Sequence, residues 1–207
     1  MDPLTELAIR YRTDKGTYHG FTRFYHKLFC EKRESIQKVL EVGIFQGASL
    51  FMWRDYFQNA TVYGIDYNVT DLVKGKDRIV TGQADQGNVN ELKEVMKTWG
   101  MPLFDLIIDD GGHYVSQQRI TFETYWQQVA PGGVYIVEDL HTNILENYPD
   151  HRPSFVNEST TMHKYLVKMM THGTTDLPIP MEEIEDIIYF SSVHSKSLTC
   201  AIFKKKV

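Results

Sequence analysis

The nine residues LIIDDGGHY, at positions 106–114, join the end of an apolar run to two carboxylates, two glycines and an imidazole. The run 106–108 is typical of a buried strand, and Asp109 and Asp110 follow at its end. Adjacent carboxylates repel each other unless a positive charge lies nearby. The glycines let the chain turn, so that His113 can face the same place as the acids. This stretch predicts a site that combines carboxylates, a cation and a histidine.

A second acidic strand end lies in GGVYIVEDL, at 132–140, where Glu138 and Asp139 follow another apolar run. If the two strands are neighbours in a sheet, their ends lie about 5 Å apart. Asp110, Glu138 and Asp139 would then repel one another, and a hard cation such as Mg²⁺ or Ca²⁺ would relieve that repulsion. Adjacent strand residues point to opposite faces, so Glu138 and Asp139 can share an ion only if the strand ends there. The alternative is that these acids are solvated or cap helices.

His113 is the candidate general base. It lies three residues after Asp110, and a histidine beside a bound cation is well placed to take a proton from a substrate hydroxyl. The chain holds eight histidines, and a lone histidine is more often structural. His141, two residues after Asp139, is the rival candidate.

The segment EVGIFQGAS, at 41–49, has the character of a cofactor loop. Gly43 and Gly47 lie in a predicted strand-to-helix turn, where glycines allow close backbone approach and a helix N-terminus offers free N–H groups. Their G-x-x-x-G spacing lacks the middle glycine of the dinucleotide fingerprint G-x-G-x-x-G. This spacing disfavours NAD and favours a cofactor without a pyrophosphate, although a plain tight turn is the alternative.

The ends of the second and third predicted strands carry further cofactor candidates. Asp66 has the position at which an acid accepts hydrogen bonds from ribose hydroxyls. Asp85 and Gln86 could hold the edge of an adenine or, alternatively, begin the next helix. The full set of predicted cofactor-binding residues is Glu41, Gly43, Gly47, Ser49, Asp66, Asp85, Gln86 and Asp109.

Alternating strands and helices are predicted to position these residues. The predicted strands are 38–45, 61–68, 78–83, 104–109 and 132–140, and the predicted helices between them include 48–57, 88–100 and 115–129. This alternation indicates βαβ units and a mostly parallel, doubly wound α/β sheet. Two final apolar runs, 185–195 and 197–205, have a link too short for a parallel crossover, so they predict an antiparallel hairpin.

Composition agrees with a single globular domain. The chain has 207 residues, 42% hydrophobic, and its net charge of -5 gives no basic face for nucleic acid. Its two cysteines form no disulfide framework, which indicates a reducing, cytoplasmic setting. The N-terminus lacks the apolar core of a signal peptide, and no run is long enough for a membrane span. We therefore expect neither a nucleic-acid nor a membrane partner, and both a monomer and a homo-oligomer remain open.

Four segments, in this order, resemble a known family: TDKGTYHG, VLEVGIFQGASLFMWRDYF, IIDDGGHY and PGGVYIVEDLHT. They are similar to the Mg²⁺-dependent sugar O-methyltransferases of the macrocin and mycinamicin type, which act on macrolide antibiotics; related sequences are often labelled cephalosporin hydroxylase. The resemblance covers residues 12–142 and fades over 141–185. It implies a Rossmann-like class I methyltransferase fold, S-adenosylmethionine and Mg²⁺ as cofactors, and a substrate with a sugar hydroxyl. It also implies Asp110, Glu138 and Asp139 as metal ligands and His113 as the base. The family commonly has Ser where this chain has Gly112.

The resulting hypothesis is an O-methyltransferase that uses S-adenosylmethionine and Mg²⁺ to methylate a small molecule or glycan with vicinal oxygens. We predict one domain over residues 1–207, with 1–37 as an N-terminal cap and 141–184 as a substrate loop or lid. Two alternatives stay open: a catechol-type O-methyltransferase acting on an aromatic diol, and a nucleotide-binding or regulatory module without catalysis.

Overall fold

The computed structural model describes residues 1–144, 161–192 and 195–206. Within these residues, seven strands form one sheet in the order β3-β2-β1-β4-β5-β7-β6. The strands are β1 (Lys38–Val42), β2 (Thr61–Asp66), β3 (Ile79–Gln83), β4 (Phe104–Asp109), β5 (Val129–Val137), β6 (Ile184–Ser192) and β7 (Ser197–Lys204).

The first five strands pair in parallel, and β7 is antiparallel to both β5 and β6. This arrangement confirms the predicted sheet and its terminal hairpin. The chain reverses its direction of winding between the neighbours β1 and β4. In open α/β sheets, ligands bind outside the carboxyl ends of the strands at such a switch point.

Seven α-helices are described around the sheet. They are α1 (Pro3–Tyr11), α2 (Asp14–Thr17), α3 (Thr22–Phe29), α4 (Ala48–Tyr56), α5 (Val89–Thr98), α6 (Val115–Tyr125) and α7 (Met162–His172). Local signals explain several of their ends. Asp2 accepts a hydrogen bond from the amide of Thr5 at the start of α1, and Asn88 and Thr161 cap α5 and α7 in the same way.

Two hydrophobic cores cover the two faces of the sheet. Leu106 and Ile108 of β4 belong to the core that contains Trp53, whereas Ile107 between them belongs to the core that contains Trp126. Because both faces are buried, β4 is a continuous apolar run rather than an alternating one. Among the residues described, every helix falls short of the length and apolar character that crossing a bilayer requires.

The structure changes some predicted boundaries. Strand β1 ends at Val42 instead of residue 45, and α6 ends at Tyr125, followed by a 3₁₀ helix at Trp126–Gln128. Strand β5 begins at Val129 instead of residue 132 and ends at Val137 instead of residue 140, and its register with β4 shifts between Phe104 and Leu106.

The predicted substrate region 141–184 contains helix α7, which was not predicted, and a 3₁₀ helix at Met181–Glu183. Another 3₁₀ helix, Leu140–Asn143, follows β5. Residues 145–160 of that region lie outside the described residues, and the role of the whole region stays a prediction.

Candidate active site

A cavity of about 1150 Å³ opens at the carboxyl ends of the central strands. The β1–α4 loop, Asp66 and Asp85 line one part of it. Asp110, His113 and Asp139 line another part. The volume suits a ligand of cofactor size, and its place matches the topological switch point.

Gly43 makes the β1–α4 loop possible. Its φ of +100° is a conformation that L side chains rarely adopt, and a Cβ there would lie 2.0 Å from the backbone oxygen of Asp110. Gly43 therefore allows the ends of β1 and β4 to pack closely against each other. Gly43 also lines the cavity, so the packing of two strand ends shapes the wall on which a ligand would lie.

Asp66 organises the same loop from the end of β2. One of its carboxylate oxygens accepts hydrogen bonds from the amides of Ile44 and Phe45, at 2.6 and 3.0 Å, and the other accepts one from the amide of Asn68 at 2.9 Å. A carboxylate has about four lone-pair sites, so Asp66 can still accept a hydrogen bond from a ligand hydroxyl. Asp66 lines the cavity, as a ribose-binding acid must.

The remaining candidates in the loop have different surroundings. Gly47 starts α4 with a φ of +84°, and a Cβ there would lie 2.2 Å from a side-chain carbon of Val73. Ser49 lines the cavity and donates a 2.7 Å hydrogen bond to Glu41, which is fully buried behind it. Glu41 is therefore placed to hold Ser49 rather than to touch a ligand itself.

Asp85 and Gln86 follow β3 and line the cavity. Asp85 accepts a hydrogen bond from the amide of Gly87, whereas Gln86 donates one to Asp109 at 2.6 Å and accepts one from the amide of Gly112 at 2.9 Å. Gln86 thus links the end of β3 to the turn after β4.

Asp109 is buried beneath this contact. Burial raises its pKa to about 8, although hydrogen bonds from Gly111 and Gln86 oppose the rise. The two adjacent acids of the turn have different surroundings: Asp109 is buried and accepts a hydrogen bond from Gln86, whereas Asp110 lines the cavity.

Lys15, from the N-terminal segment, supplies the cation that Asp110 contacts. It lies in α2, is 1% exposed, and forms ion pairs with Asp110, with Glu138 at 2.8 Å and with Glu41 at 3.3 Å. Burial alone would lower the pKa of Lys15, but the three carboxylates hold that pKa well above its usual value. The side chain is therefore a fixed positive charge at the ends of three neighbouring strands.

Glu138 and Asp139 diverge directly after β5. The strand ends at Val137, and Asp139 adopts a left-handed conformation with a φ of +53°. Glu138 accepts hydrogen bonds from Lys15 and from the Tyr25 hydroxyl, both at 2.8 Å. The two acids could share an ion only if the strand ended before them, and the backbone meets that condition. Glu138 as a metal ligand stays a prediction.

Asp139 lies among histidines instead. Its carboxylate oxygens are 3.3 Å from Nε2 of His113, 3.6 Å from Nδ1 of His19 and 3.7 Å from Nδ1 of His141. Both predicted base candidates therefore reach the same carboxylate. His113 lines the cavity and has a φ of +57°, which reflects the tight turn after Gly111 and Gly112.

The described residues offer one group that fits a divalent cation. One ligand atom each from Asp110, His113 and Asp139 lies within 4.8 Å of the others. Oδ1 of Asp139 is buried without a hydrogen-bond partner within the described residues, which is costly unless a ligand satisfies it. Two carboxylates and an open cavity suit Mg²⁺, which prefers oxygen ligands and keeps positions open for water or substrate.

Lys15 and His19 were missed as site residues. Both lie in TDKGTYHG, one of the four segments that resemble the family, but the resemblance implied no role for either residue. One signal was present: Asp110, Glu138 and Asp139 were predicted to cluster at two neighbouring strand ends, and the polar-aromatic N-terminal segment offers charged side chains to balance them.

Comparison with known proteins agrees with this geometry. A family model described as a methyltransferase domain matches residues 40–140. A tetracenomycin-C 3'-O-methyltransferase of Streptomyces olivaceus, whose substrate is named as the 8-demethyl-8-(2-methoxy-alpha-L-rhamnosyl) compound, is 38% identical over 70% of this chain and 38% of its own length. Demethylmacrocin O-methyltransferase of Streptomyces fradiae is 37% identical over 67% of this chain and 36% of its own. The chain thus spans less than half the length of these relatives.

A solved structure extends the similarity over nearly the whole chain. The MycE methyltransferase of the mycinamycin biosynthetic pathway, in complex with Mg, SAH and mycinamycin VI, superposes with a TM-score of 0.79 at 28% identity. The match covers 99% of this chain and 55% of MycE. The chain has the class I methyltransferase fold, and it is a homologue of sugar O-methyltransferases of the macrocin and mycinamicin type.

Proposed function

We propose that this protein is an O-methyltransferase that uses S-adenosylmethionine and Mg²⁺ to methylate a sugar hydroxyl. One observation carries the proposal. A single cavity joins the glycine loop, Asp66 and Asp85 to the group formed by Asp110, His113 and Asp139. A methyl donor on one side and a hydroxyl acceptor on the other would meet in that cavity. Relatives that are named as O-methyltransferases of rhamnosyl tetracenomycin-C compounds support the same activity.

The cofactor half would hold S-adenosylmethionine, which supplies an electrophilic methyl group on a positively charged sulfur. Gly43 and Ser49 would form the wall beside the cofactor, and Asp66 would accept a hydrogen bond from the ribose. Asp85 and Gln86 would lie against the adenine side. Binding in a fixed orientation is a large part of what such a site contributes to the rate.

The metal half would hold Mg²⁺, which, when bound, orients two neighbouring substrate oxygens and lowers the pKa of the reacting hydroxyl. Asp110 and Asp139 are the ligands that the described geometry favours, with Glu138 as a further candidate. Because Mg²⁺ prefers oxygen, His113 is left outside the ligand set and free to take a proton.

His113 has the geometry of a general base in this cavity. Its Nδ1 is buried, so Nε2, which lies 3.3 Å from Asp139, is the nitrogen that a substrate in the cavity can reach. Asp139, beside that nitrogen, would accept a hydrogen bond from Nε2 once Nε2 carries the proton. His141 also reaches Asp139, at 3.7 Å, and must be tested beside His113.

The test is a methyl-transfer assay with labelled S-adenosylmethionine, rhamnosides and other glycosides with vicinal hydroxyls, and catechol as the competing acceptor class. Transfer to a glycoside should require Mg²⁺ and stop with EDTA. Turnover of catechol alone would favour the aromatic alternative. Binding of S-adenosylhomocysteine without turnover of any acceptor would favour a non-catalytic module.

The two histidine variants assign the base. A positioned base contributes about 10²–10⁴-fold, so His113→Ala should lower kcat by that factor while calorimetry shows unchanged affinity for S-adenosylhomocysteine. His141→Ala is the matched control, and it should retain most of its turnover. The opposite pattern would assign the base to His141 and leave the rest of the proposal standing.

A further inference from the structure

The acids at the carboxyl ends of β1, β4 and β5, here called the acidic edge, fall into two groups with different partners. Glu41 and Glu138 contact the Lys15 ammonium, whereas Asp139 contacts histidines. Asp110 belongs to both groups: it forms an ion pair with Lys15 and contributes a ligand atom to the group with His113 and Asp139. The edge therefore has two places for a positive charge, and Lys15 fills one of them.

The place of the ammonium has the chemistry of a cation site. It is bounded by one carboxylate from the end of β1, one from the residue after β4 and one from the residue after β5. With Lys15 in place these oxygens are not among the groups close enough together to hold a metal ion, but oxygen ligands are the kind that a divalent ion prefers, so loss of the ammonium would let them close on one. One oxygen of Glu41 has no hydrogen-bond partner among the described residues, although it lies 3.3 Å from Lys15.

Rigid surroundings hold Lys15 at this place. The Thr13 side chain accepts a hydrogen bond from the Lys15 amide at the start of α2, and the Lys15 side chain is fully buried. The Tyr25 hydroxyl donates to Glu138, so both oxygens of that carboxylate are engaged. The ammonium cannot leave without exposing three carboxylates to one another.

We propose that Lys15 is a positioning residue that takes the place of a second divalent cation. It orients Asp110 and Glu138 and limits the acidic edge to one metal ion, which binds on the Asp139 side. This inference rests on the proposed function, because it assumes that the edge binds a divalent cation at all.

The experiment counts bound ions with Mn²⁺ as a spectroscopic probe. The full chain and its Lys15→Met variant are titrated with Mn²⁺, and stoichiometry is measured by electron paramagnetic resonance and calorimetry. Methionine keeps an unbranched side chain and removes the charge. The wild type should bind one ion per chain. Lys15→Met should bind two, and their proximity should broaden the resonance.

Two further variants control for general effects. Lys168→Met removes a lysine that is 39% exposed and pairs with the exposed Asp176, and it should bind one ion as the wild type does. Lys15→Met combined with Glu41→Gln removes one ligand of the new site and should return the stoichiometry to one. Unfolding temperatures should show that Mn²⁺ stabilises Lys15→Met more than the wild type, because a ligand that binds only the native state raises its stability.

The outcomes separate this inference from the proposed function. A wild type that binds no Mn²⁺ would overturn the metal site and this inference with it. One ion in both the wild type and Lys15→Met, or two in the wild type, would overturn the inference alone. A Lys15→Met variant that stays unfolded even with Mn²⁺ would also overturn it, because the ion is expected to replace the ammonium.

Discussion

Replacing Gly43 with alanine should destabilise the protein because the end of β1 leaves no room for a Cβ. The added carbon would lie 2.0 Å from the backbone oxygen of Asp110 and 3.0 Å from the Cα of Gly111. Neither atom is the end of a flexible side chain, so the backbone of one loop must move. The loop that moves carries either the cofactor wall or a predicted metal ligand.

The expected magnitude has two parts. A φ of +100° is strained for any residue with a Cβ, and such strain costs about 1–3 kcal/mol. Overpacking of a well-filled region adds about 1–3 kcal/mol. The free energy of unfolding should therefore fall by about 2–6 kcal/mol, a large part of the total of about 5–15 kcal/mol that is usual for a protein.

Gly75→Ala is the matched control for this measurement. Gly75 has a φ of +65°, yet a Cβ there would meet nothing within 4 Å, so its substitution should cost only about 1–2 kcal/mol of left-handed strain. Urea unfolding of both variants gives the comparison, and calorimetry should show weaker binding of S-adenosylhomocysteine to Gly43→Ala alone. If the two variants differ by less than about 0.5 kcal/mol, the close approach of Gly43 to Asp110 does not constrain the fold, and the reasoning is refuted.

Three further substitutions test separate parts of the structure. Asp66→Ala should weaken binding of S-adenosylhomocysteine by about 1–3 kcal/mol, because it would remove the proposed ribose acceptor and releases two loop amides; unchanged calorimetric affinity would contradict this. Asp139→Asn should lower Mg²⁺ affinity by at least about 10–100-fold, because losing even a residue that only supports a metal ligand has an effect of that size. Binding of S-adenosylhomocysteine should stay intact, and a variant that binds Mg²⁺ as tightly as the wild type would contradict the prediction. Asp55 accepts hydrogen bonds from Tyr11 and Arg54. Burial raises the pKa of Asp55, but these hydrogen bonds outweigh burial and lower it. The ionised carboxylate therefore stabilises the fold above the unfolded pKa of about 3.9, and this contribution is lost as pH falls through the folded pKa. Asp55→Ala should therefore cost about 1–3 kcal/mol at pH 7 and less at pH ~3, whereas an equal loss of melting temperature at both pH values would count against the ionised carboxylate.

Features with a local cause could be predicted from the sequence. Strand β4 has the predicted bounds 104–109, because an apolar run buried on both faces has a clear beginning and end. The terminal hairpin follows from a link too short for any parallel crossover. The neighbouring positions of β4 and β5 brought Asp110 and Asp139 to one edge, as expected from their strand ends.

Helix α7 was not predicted and the start of β5 was misplaced, because one local signal hid another. Helix α7 has buried residues at helical spacing, Met162, Tyr165, Leu166 and Met169, and a Thr161 cap. The polar, proline-containing segment before it led to the prediction of a loop throughout. In β5, the Pro-Gly-Gly segment is accommodated by a register shift, and Gly132 has a φ of +75°. A bulge of this kind keeps the strand continuous through residues that usually interrupt one.

The charge balance of the site depends on contacts that no local pattern contains. The two acids after the apolar run predicted a cation, but the acids have different partners: Asp109 accepts a hydrogen bond from Gln86, 23 residues earlier, whereas Asp110 pairs with Lys15. The ion pairs of Lys15 depend on how α2 packs over the strand ends. Sequence spacing predicted which acids gather at the carboxyl ends of the strands, and only the tertiary arrangement shows which partner each of them has.

The buried ammonium also has a consequence for the order of folding. Lys15 is synthesised before its partners: Asp110 and Glu138 follow 95 and 123 residues later. Contacts of such long sequence separation form slowly, because the loop-closure entropy is lost before the contact contributes any stability. Until β5 joins the sheet, a nascent or refolding chain carries Lys15 with only part of its final set of acids. The full ion-pair network should therefore form late. Refolding should show a slow phase whose rate changes when Lys15 is substituted, and early hydrogen-exchange protection should not include the contacts of this network.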